Sequence, residues 1–460
     1  MGSRNNTPRA LSFGVELELY VAWITPDVEA DSLDVPPGFN TSKGAPLRVP
    51  SGRFDDLLWA LNARIRETLQ GFPSAAVASA DLNGRVDFVH DDEWSHLQTY
   101  REWTVKGDPS LSTPDELDSG IDSGWDGLEV CSPALWATEQ GFAEVRRVCE
   151  LLHDTIWTTN IGNYTGLHIH VGYGHSWFPM HSARRIAALL YAADPLLAAS
   201  HDPDRLLNSF CPSIRMYSNV SLGVRIADLE MRPHSELEIS DVSLAGSSRP
   251  RTELAQRIRD GFARSQQAVS SSSTRPYRGG LPPRPSTKTY TPLPEALENI
   301  LPSAARNYGV YPDRYDFRPA PMQEAVAELL QTDNRWALGK LTTVSSGRSA
   351  YSFHHFLRDG GKRTIEFRQA AGTVDPAEVV SRARIAVRLC EFASNGSVQS
   401  DRYRKLLTDC MIAEDMPSWF DFYDLLLELD MRPEAEVIHA VKENNMTDAV
   451  RQRYWAAPRR

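Results

Sequence analysis

The stretch TGLHIHVG, residues 165–172, sets two histidines one residue apart among aliphatic side chains. Side chains alternate across a β-strand, so Leu167, Ile169 and Val171 go to one face and His168 and His170 to the other. The spacing predicts a strand with an aliphatic face for the core and a second face that presents imidazoles. In isolation, an HxH strand reads more readily as core imidazoles bonded to carbonyls than as a ligand site.

Three other stretches make the same choice. FGVELEL (13–19) puts Glu16 and Glu18 on one face with Gly14, roughly 7 Å apart by the strand repeat. GLEVCSP (127–133) opposes Glu129 to Leu128 and Val130, and RTIEFRQ (363–369) opposes Thr364, Glu366 and Arg368 to Ile365 and Phe367. A solvated strand face usually mixes Thr, Lys, Ser, Gln and Arg, whereas these faces carry mainly Glu and His with small Gly beside them. That pattern points to polar faces lining a cleft or funnel in a curved sheet, with glycines leaving room for a ligand.

Converging carboxylates in a partly desolvated cleft raise one another's pKa, and divalent cations relieve the conflict. An oxygen-rich set with one or two imidazoles favours Mg²⁺ or Mn²⁺, while zinc prefers more His and Cys. Asp108, in EWTVKGDPSL (102–111), offers a further acid. Cations of this kind commonly serve phosphates, and Arg368 shares its strand face with Glu366, from which its planar guanidinium can meet a phosphate oxygen. Lys340 and Arg348 lie upstream of the same strand, in LGKLTTVSSGRSAYSFHHF (338–356); for Arg348 a plain surface-loop role is equally open. There is no GxxxxGK[ST] and no GxGxxG after a strand, and DGGK (359–362) reads as a turn between strands.

Of the 460 residues, 41% are hydrophobic and 24% charged, the balance of an ordinary globular chain. The net charge of −11, with no long basic block, argues against a nucleic-acid surface. No segment approaches the roughly 20 apolar residues of a membrane span. The longest candidate, 186–200, is interrupted at Asp194 and Pro195 and reads as a helix ending in a turn. The N-terminus MGSRNNTPRA lacks an apolar core for a secretory signal and has Asn6 where a myristoylation signal wants Ser or Thr. Five scattered cysteines without a CxxC pair suggest reduced thiols, so a cytoplasmic location is expected.

Apolar residues at helical spacing predict helices over 54–72 and 141–157, and a third over 376–394 with Asp375 as N-cap and Pro376 just inside. Residues 25–52 read as an exposed excursion, and the Ser/Pro/Gly-rich stretch 265–292 as a mobile loop or linker. The expected organisation is a catalytic domain of 1–395 with a flexible insert at about 265–292, and a helical extension of the same domain over 396–460.

In order, FGVELEL, WTVKGDPSL with GLEVCSP, TGLHIHVG and RTIEFRQAAGTVD resemble the amidoligase family, carboxylate-amine ligases similar to glutamine synthetase and glutamate-cysteine ligase. The resemblance covers most of 10–210 and 335–395. It implies an α+β fold in which a curved, funnel-shaped antiparallel sheet packs against helices, with ATP at one end and Mg²⁺ (or Mn²⁺) between sheet and triphosphate. It further implies one metal on Glu18, Asp108 and Glu129, a second on Glu16, His168 and Glu366, His170 toward the phosphates, and Arg368 on the phosphoryl group in flight. Family-like segments at 204–215 and 347–351 add Arg205, Arg348 and Tyr351 as cofactor or catalytic contacts. YSFHHF departs from the family, with His354 and His355 where an asparagine is usual.

The implied activity is ATP-dependent amide formation through an acyl phosphate, with a small-molecule or peptide carboxylate and an amine as substrates and neither nucleic acid nor membrane as partner. Two other readings stay open: a metal-dependent hydrolase or oxygenase built on the HxH strand, and a non-catalytic nucleotide-binding scaffold.

Overall fold

The computed structural model describes residues 11–36, 39, 43–77, 101–111, 117, 120–160, 165–202, 205, 210–229, 260, 263, 278–286, 320–343, 349–357, 362–395, 400–413, 416 and 418–458. Its strands are β1 (Ser12–Ile24), β2 (Leu47–Arg48), β3 (Thr104–Lys106), β4 (Ser123–Cys131), β5 (Leu135–Trp136), β6 (Thr158–Thr159), β7 (Gly166–Gly172), β8 (Tyr351–Ser352) and β9 (Thr364–Ala371). They form one sheet, ordered β3-β4-β1-β7-β9-β8 with antiparallel neighbours throughout. The short β2, β5 and β6 add to β1, β2 in parallel.

β1 is the central strand, and it is longer than its acidic stretch. Past Glu18 it continues as LYVAWI, buried on both faces as a continuous apolar run allows. Val15, Leu17, Leu19, Val21 and Trp23 belong to the main core, each contributing about 1.5–3 kcal/mol by its burial. Tyr20 and Ala22, on the face of Glu16 and Glu18, instead join Leu33, Leu117, Trp125 and Trp157 in a second, smaller apolar cluster. That cluster closes one end of the acid-bearing face.

Helices cover the aliphatic face. α1 (Phe54–Thr68) and α2 (Glu139–Thr155) match the helical spacing read from the sequence, with Leu57, Leu61 and Ile65 of the first and Phe142, Val145, Cys149 and Leu152 of the second buried. α3 (Met180–Ala198) corrects the sequence reading: the helix passes through Pro195 to Ala198, and no turn interrupts it. Asp194 is fully buried within it and accepts hydrogen bonds from Ser213 Oγ and, at 3.4 Å, from Gln369 Nε2, so an acid that looked like a helix terminator is a satisfied core residue.

α4 (Met322–Gln331) and α5 (Arg335–Thr342) follow, then α6 (Pro376–Asn395), where Asp375 Oδ1 accepts from the backbone amides of Ala377 and Glu378 as an N-cap should. α7 (Asp401–Ala413), α8 (Phe422–Glu428), α9 (Arg432–Lys442) and α10 (Asp448–Ala456) complete the chain, α7 packing on α3 and α9 on α6. Among the described residues no helix is long and apolar enough to cross a membrane, and all five cysteines are buried without a disulfide.

The described part of the 265–292 stretch, residues 278–286, is irregular chain that packs against the helices. Leu281 is buried in the core, and Arg284 grips Asp424 of α8 with Nε at 2.6 Å and Nη2 at 2.7 Å. Arg278 donates to Asp421 at 2.8 Å. Composition announced a loop; it could not announce two arginines matched to a helix cap 140 residues away. The rest of that stretch, and all of DGGK but Lys362, lie outside the described residues.

Candidate active site

Strand register brings the acids and imidazoles together. Glu16 of β1 stands opposite Cys131 of β4 on one side and His168 of β7 on the other; Glu18 stands opposite Glu129, and His170 opposite Glu366. All six acids and imidazoles are buried, at 4–8% exposure. His168 reaches three carboxylates, with Nδ1 at 3.5 Å from Glu16 and 3.9 Å from Glu366 and Nε2 at 3.5 Å from Glu18. His170 Nε2 lies 3.2 Å from Glu16 and 3.7 Å from Glu366, while its Nδ1 meets Thr364 Oγ1 at 2.9 Å.

A β-bulge sets the outer part of the site. The β7–β9 register runs from Leu167↔Ala370 to Ile169↔Phe367, so Arg368 and Gln369 together oppose the single His168. Bulges of this kind re-aim side chains beside functional sites. Arg368 bonds Glu366 through Nη1 and the Phe210 carbonyl through Nε at 3.2 Å. Buried Arg205 donates to the carbonyls of Arg368, Gln369 and Thr165, which ties it to the bulge and to the start of β7.

Two lysines complete the charge pattern. Lys362 Nζ bonds Glu16 and lies 3.3 Å from His170 Nε2, and Lys106 Nζ pairs with Glu129 at 3.0 Å. Burial opposes the Glu16 charge, yet His170 and Lys362 hold its carboxyl well below the usual range. Burial likewise opposes Glu366, but His170, Arg368 and His168 bring it to about 2. On the β4 side burial prevails: it raises Glu18, helped by the nearby Asp108 charge, and with the Glu16 charge it lifts Glu129 to about 7. Burial also lowers His355 to about 3, with the His170 charge adding to it.

The Glu129 shift has a consequence for stability. A carboxyl raised in the fold binds its proton more tightly there than in the unfolded chain, so its contribution is full below about pH 4.5 and fades as pH rises through 7. Glu366 acts the other way and only between about pH 4.5 and 2. The metal-free protein should therefore lose up to about 1.4 kcal/mol per pH unit from this one group between pH 5 and 7. Urea melts across that range should show a steeper fall for the parent than for Glu129→Gln; equal slopes would refute it.

The structure gathers Glu16, Glu18, Glu129, His168, His170, Glu366 and Arg368, and ligand atoms of Glu16, His168 and Glu366 lie within 4.8 Å of one another. Glu18, Asp108 and Glu129 form no such trio among the described residues. Asp108 is half-buried, and its Oδ1 accepts from Ser110 N and Oγ at 2.8 Å. Lys340 sits on α5, with Nζ 5.6 Å from the Trp336 ring centre. Tyr351 belongs to the opposite, helix-covered face, where its hydroxyl donates to Gln369 Oε1 at 2.6 Å. Arg348 lies outside the described residues.

Sequence reading passed over Lys106, Lys362, Cys131 and the Gly166 amide, which donates to Glu18 Oε2 at 2.6 Å. The signal for Lys362 was present: it precedes Thr364, Glu366 and Arg368 at the same two-residue period. Lys106 likewise sits two residues before Asp108, and its partner Glu129 emerges only from the β3–β4 register.

The donor set, buried carboxylates with an imidazole, flanked by lysines and an arginine, suits hard divalent cations and phosphates. No curated protein matches the chain. Residues 9–219, which supply β1 to β7 and with them Glu16, Glu18, Asp108, Glu129, His168 and His170, match the model of a family of ligases, described as "Putative amidoligase enzyme".

Proposed function

We propose that this protein is an ATP-dependent carboxylate–amine ligase whose sheet is the funnel of a glutamine-synthetase-like fold, and that 1–395 with the helices of 396–460 act as one catalytic unit. The observation that carries the reading is the convergence of Glu16, His168 and Glu366 on one sheet face, with Arg368 bonded to Glu366. A scaffold has little use for so much buried, mutually opposed charge. A hydrolase or oxygenase built on His168 and His170 is disfavoured by the many carboxylates around them, which suit harder cations.

In this reading Glu16, His168 and Glu366 would hold one divalent cation; Glu18 and Glu129, opposite each other on β1 and β4, would hold another only once Asp108 turned from Ser110 toward them. Bound there, the cations neutralise phosphate oxygens and so ease phosphoryl transfer. Glu366 fixes the guanidinium of Arg368, which donates to oxygens of the phosphoryl group as charge builds on them. Thr364 holds the His170 ring with Nε2 toward the phosphates. Lys362 and Lys106, paired with Glu16 and Glu129, put two ammonium groups beside the same face, where they would meet phosphate oxygens. A carboxylate oxygen of the substrate attacks the γ-phosphorus and ADP departs. A neutral amine then attacks the acyl carbon and expels phosphate, and its surplus proton passes to solvent.

The protein, Mg²⁺ and ATP with pooled carboxylic acids and amines should release phosphate only when both pools are present. Release indifferent to the pools would reduce the protein to an ATPase; no release under any pool would remove the ligase reading.

A further inference from the structure

The segment YSFHHF places a third imidazole beside the acids. Tyr351 and Ser352 pair with Phe367 and Glu366 of β9, and the chain then tightens into a 3₁₀ turn, His354–Leu357. That turn carries His355 over the His170 end of the site, with ring centres 6.1 Å apart and planes inclined at 44°. This is neither a stacked nor an edge-on aromatic pair. One ligand atom each of His170, His355 and Glu366 lies within 4.8 Å of the others.

We propose that His170, His355 and Glu366 form a binding site for a borderline divalent transition-metal ion of the Zn²⁺ or Co²⁺ kind, separate in chemistry from the Mg²⁺-type set of Glu16, His168 and Glu366. The two groups share Glu366 but differ in donors, and a transition-metal ion and a nucleotide phosphate are alternative occupants at His170 Nε2. Two oxygens and one nitrogen suit a hard cation; two nitrogens and one oxygen suit a softer one. Tetrahedral zinc, with bonds of about 2.1 Å, wants ligand atoms about 3.4 Å apart, so atoms now within 4.8 Å of one another would close by up to about 1.4 Å.

The surroundings are those of a metal ligand. The Thr364 hydroxyl holds His170 Nδ1 at 2.9 Å and leaves Nε2 facing Glu366 at 3.7 Å, the kind of outer hydrogen bond that orients a ligating imidazole. Lys362 Nζ, 3.3 Å from His170 Nε2, already places a positive charge at this spot, and the ion takes its place. The Lys362 side chain is 20% exposed at the mouth of the strand and has solvent to move into.

The site does not depend on the ligase reading, and its test is run without nucleotide. Full-length protein stripped with chelator is titrated with Co²⁺ and followed by visible ligand-field absorption. Parent protein should bind one tight Co²⁺ that excess Mg²⁺ does not displace. His355→Ala should weaken it by at least the roughly tenfold that loss of a mere outer hydrogen-bond partner costs, whereas His168→Ala should retain it. His355→Asn, closer in size, repeats the measurement should the alanine variant not fold. Equal Co²⁺ affinity in folded His355 variants overturns the proposal, and so does loss of the band in His168→Ala with retention in His355→Asn. Protein that binds Co²⁺ through His355 yet releases no phosphate from ATP keeps this site and loses the ligase.

Discussion

Glu366→Gln should lower kcat/KM for ligation by about 10³-fold, with the fold intact. Removing one preorganised electrostatic contact to a transition state typically costs 10²–10³ in rate, and Glu366 serves more than one such contact. Its Oε1 bonds Arg368 and lies within 4 Å of both His168 Nδ1 and His170 Nε2. Glutamine keeps the volume and one acceptor for Arg368, so packing survives while the charge that holds the guanidinium, and that the proposed cation would require, is gone. Steady-state kinetics with a thermal melt separates the two effects. A variant that melts like the parent and ligates within tenfold of it would contradict the role given to Glu366.

Asp424→Ala should cost about 3–5 kcal/mol of stability, the usual penalty for removing one partner of a buried ion pair. Asp424 is almost wholly buried and does three jobs at once. It accepts two hydrogen bonds from Arg284, meets Arg278 Nη1 at 3.4 Å, and closes the capping box of α8 by accepting from the Asp421 amide at 3.2 Å. The alanine variant leaves Arg284 without this partner and α8 without half of its cap. Chemical denaturation should record the loss, and residues 278–286 should become more open to limited proteolysis. A loss below about 1 kcal/mol would place the arginines among ordinary surface pairs.

The strands were legible because alternation survives burial: even-numbered residues of β1 from Gly14 to Ala22 share one face, and the odd-numbered ones enter the main core. The gathering of Glu16, Glu18, Glu129, His168 and Glu366 could be suspected for the same reason, since each sits opposite aliphatic neighbours on its own strand. Period alone gives faces, however, and not register. That Glu18 stands opposite Glu129, that a bulge gives His168 two residues to face, and that Lys106 pairs with Glu129 depend on contacts between strands far apart in the chain.

Tyr351 shows the same limit. Its segment resembled a nucleotide contact, yet its β8 register, opposite Phe367, sends its ring to the helix side and into a hydrogen bond with Gln369. Asp194–Pro195 misled because helix-breaking propensity is a local prior that a buried hydrogen-bond network overrides. Arg278 and Arg284 were invisible because their partners lie on a helix cap that only the tertiary fold brings near.

The central claim is that a substrate carboxylate is activated by phosphoryl transfer on the face shared by Glu16, His168, Glu366 and Arg368. Oxygen-18 tracing tests it most directly: a substrate acid labelled in both carboxylate oxygens is turned over with ATP, Mg²⁺ and an amine, and the released phosphate is weighed by mass spectrometry. One labelled oxygen in each phosphate is the result predicted, because the acyl phosphate keeps the carboxylate oxygen when the amine expels it. Unlabelled phosphate accompanying amide formation would contradict the account.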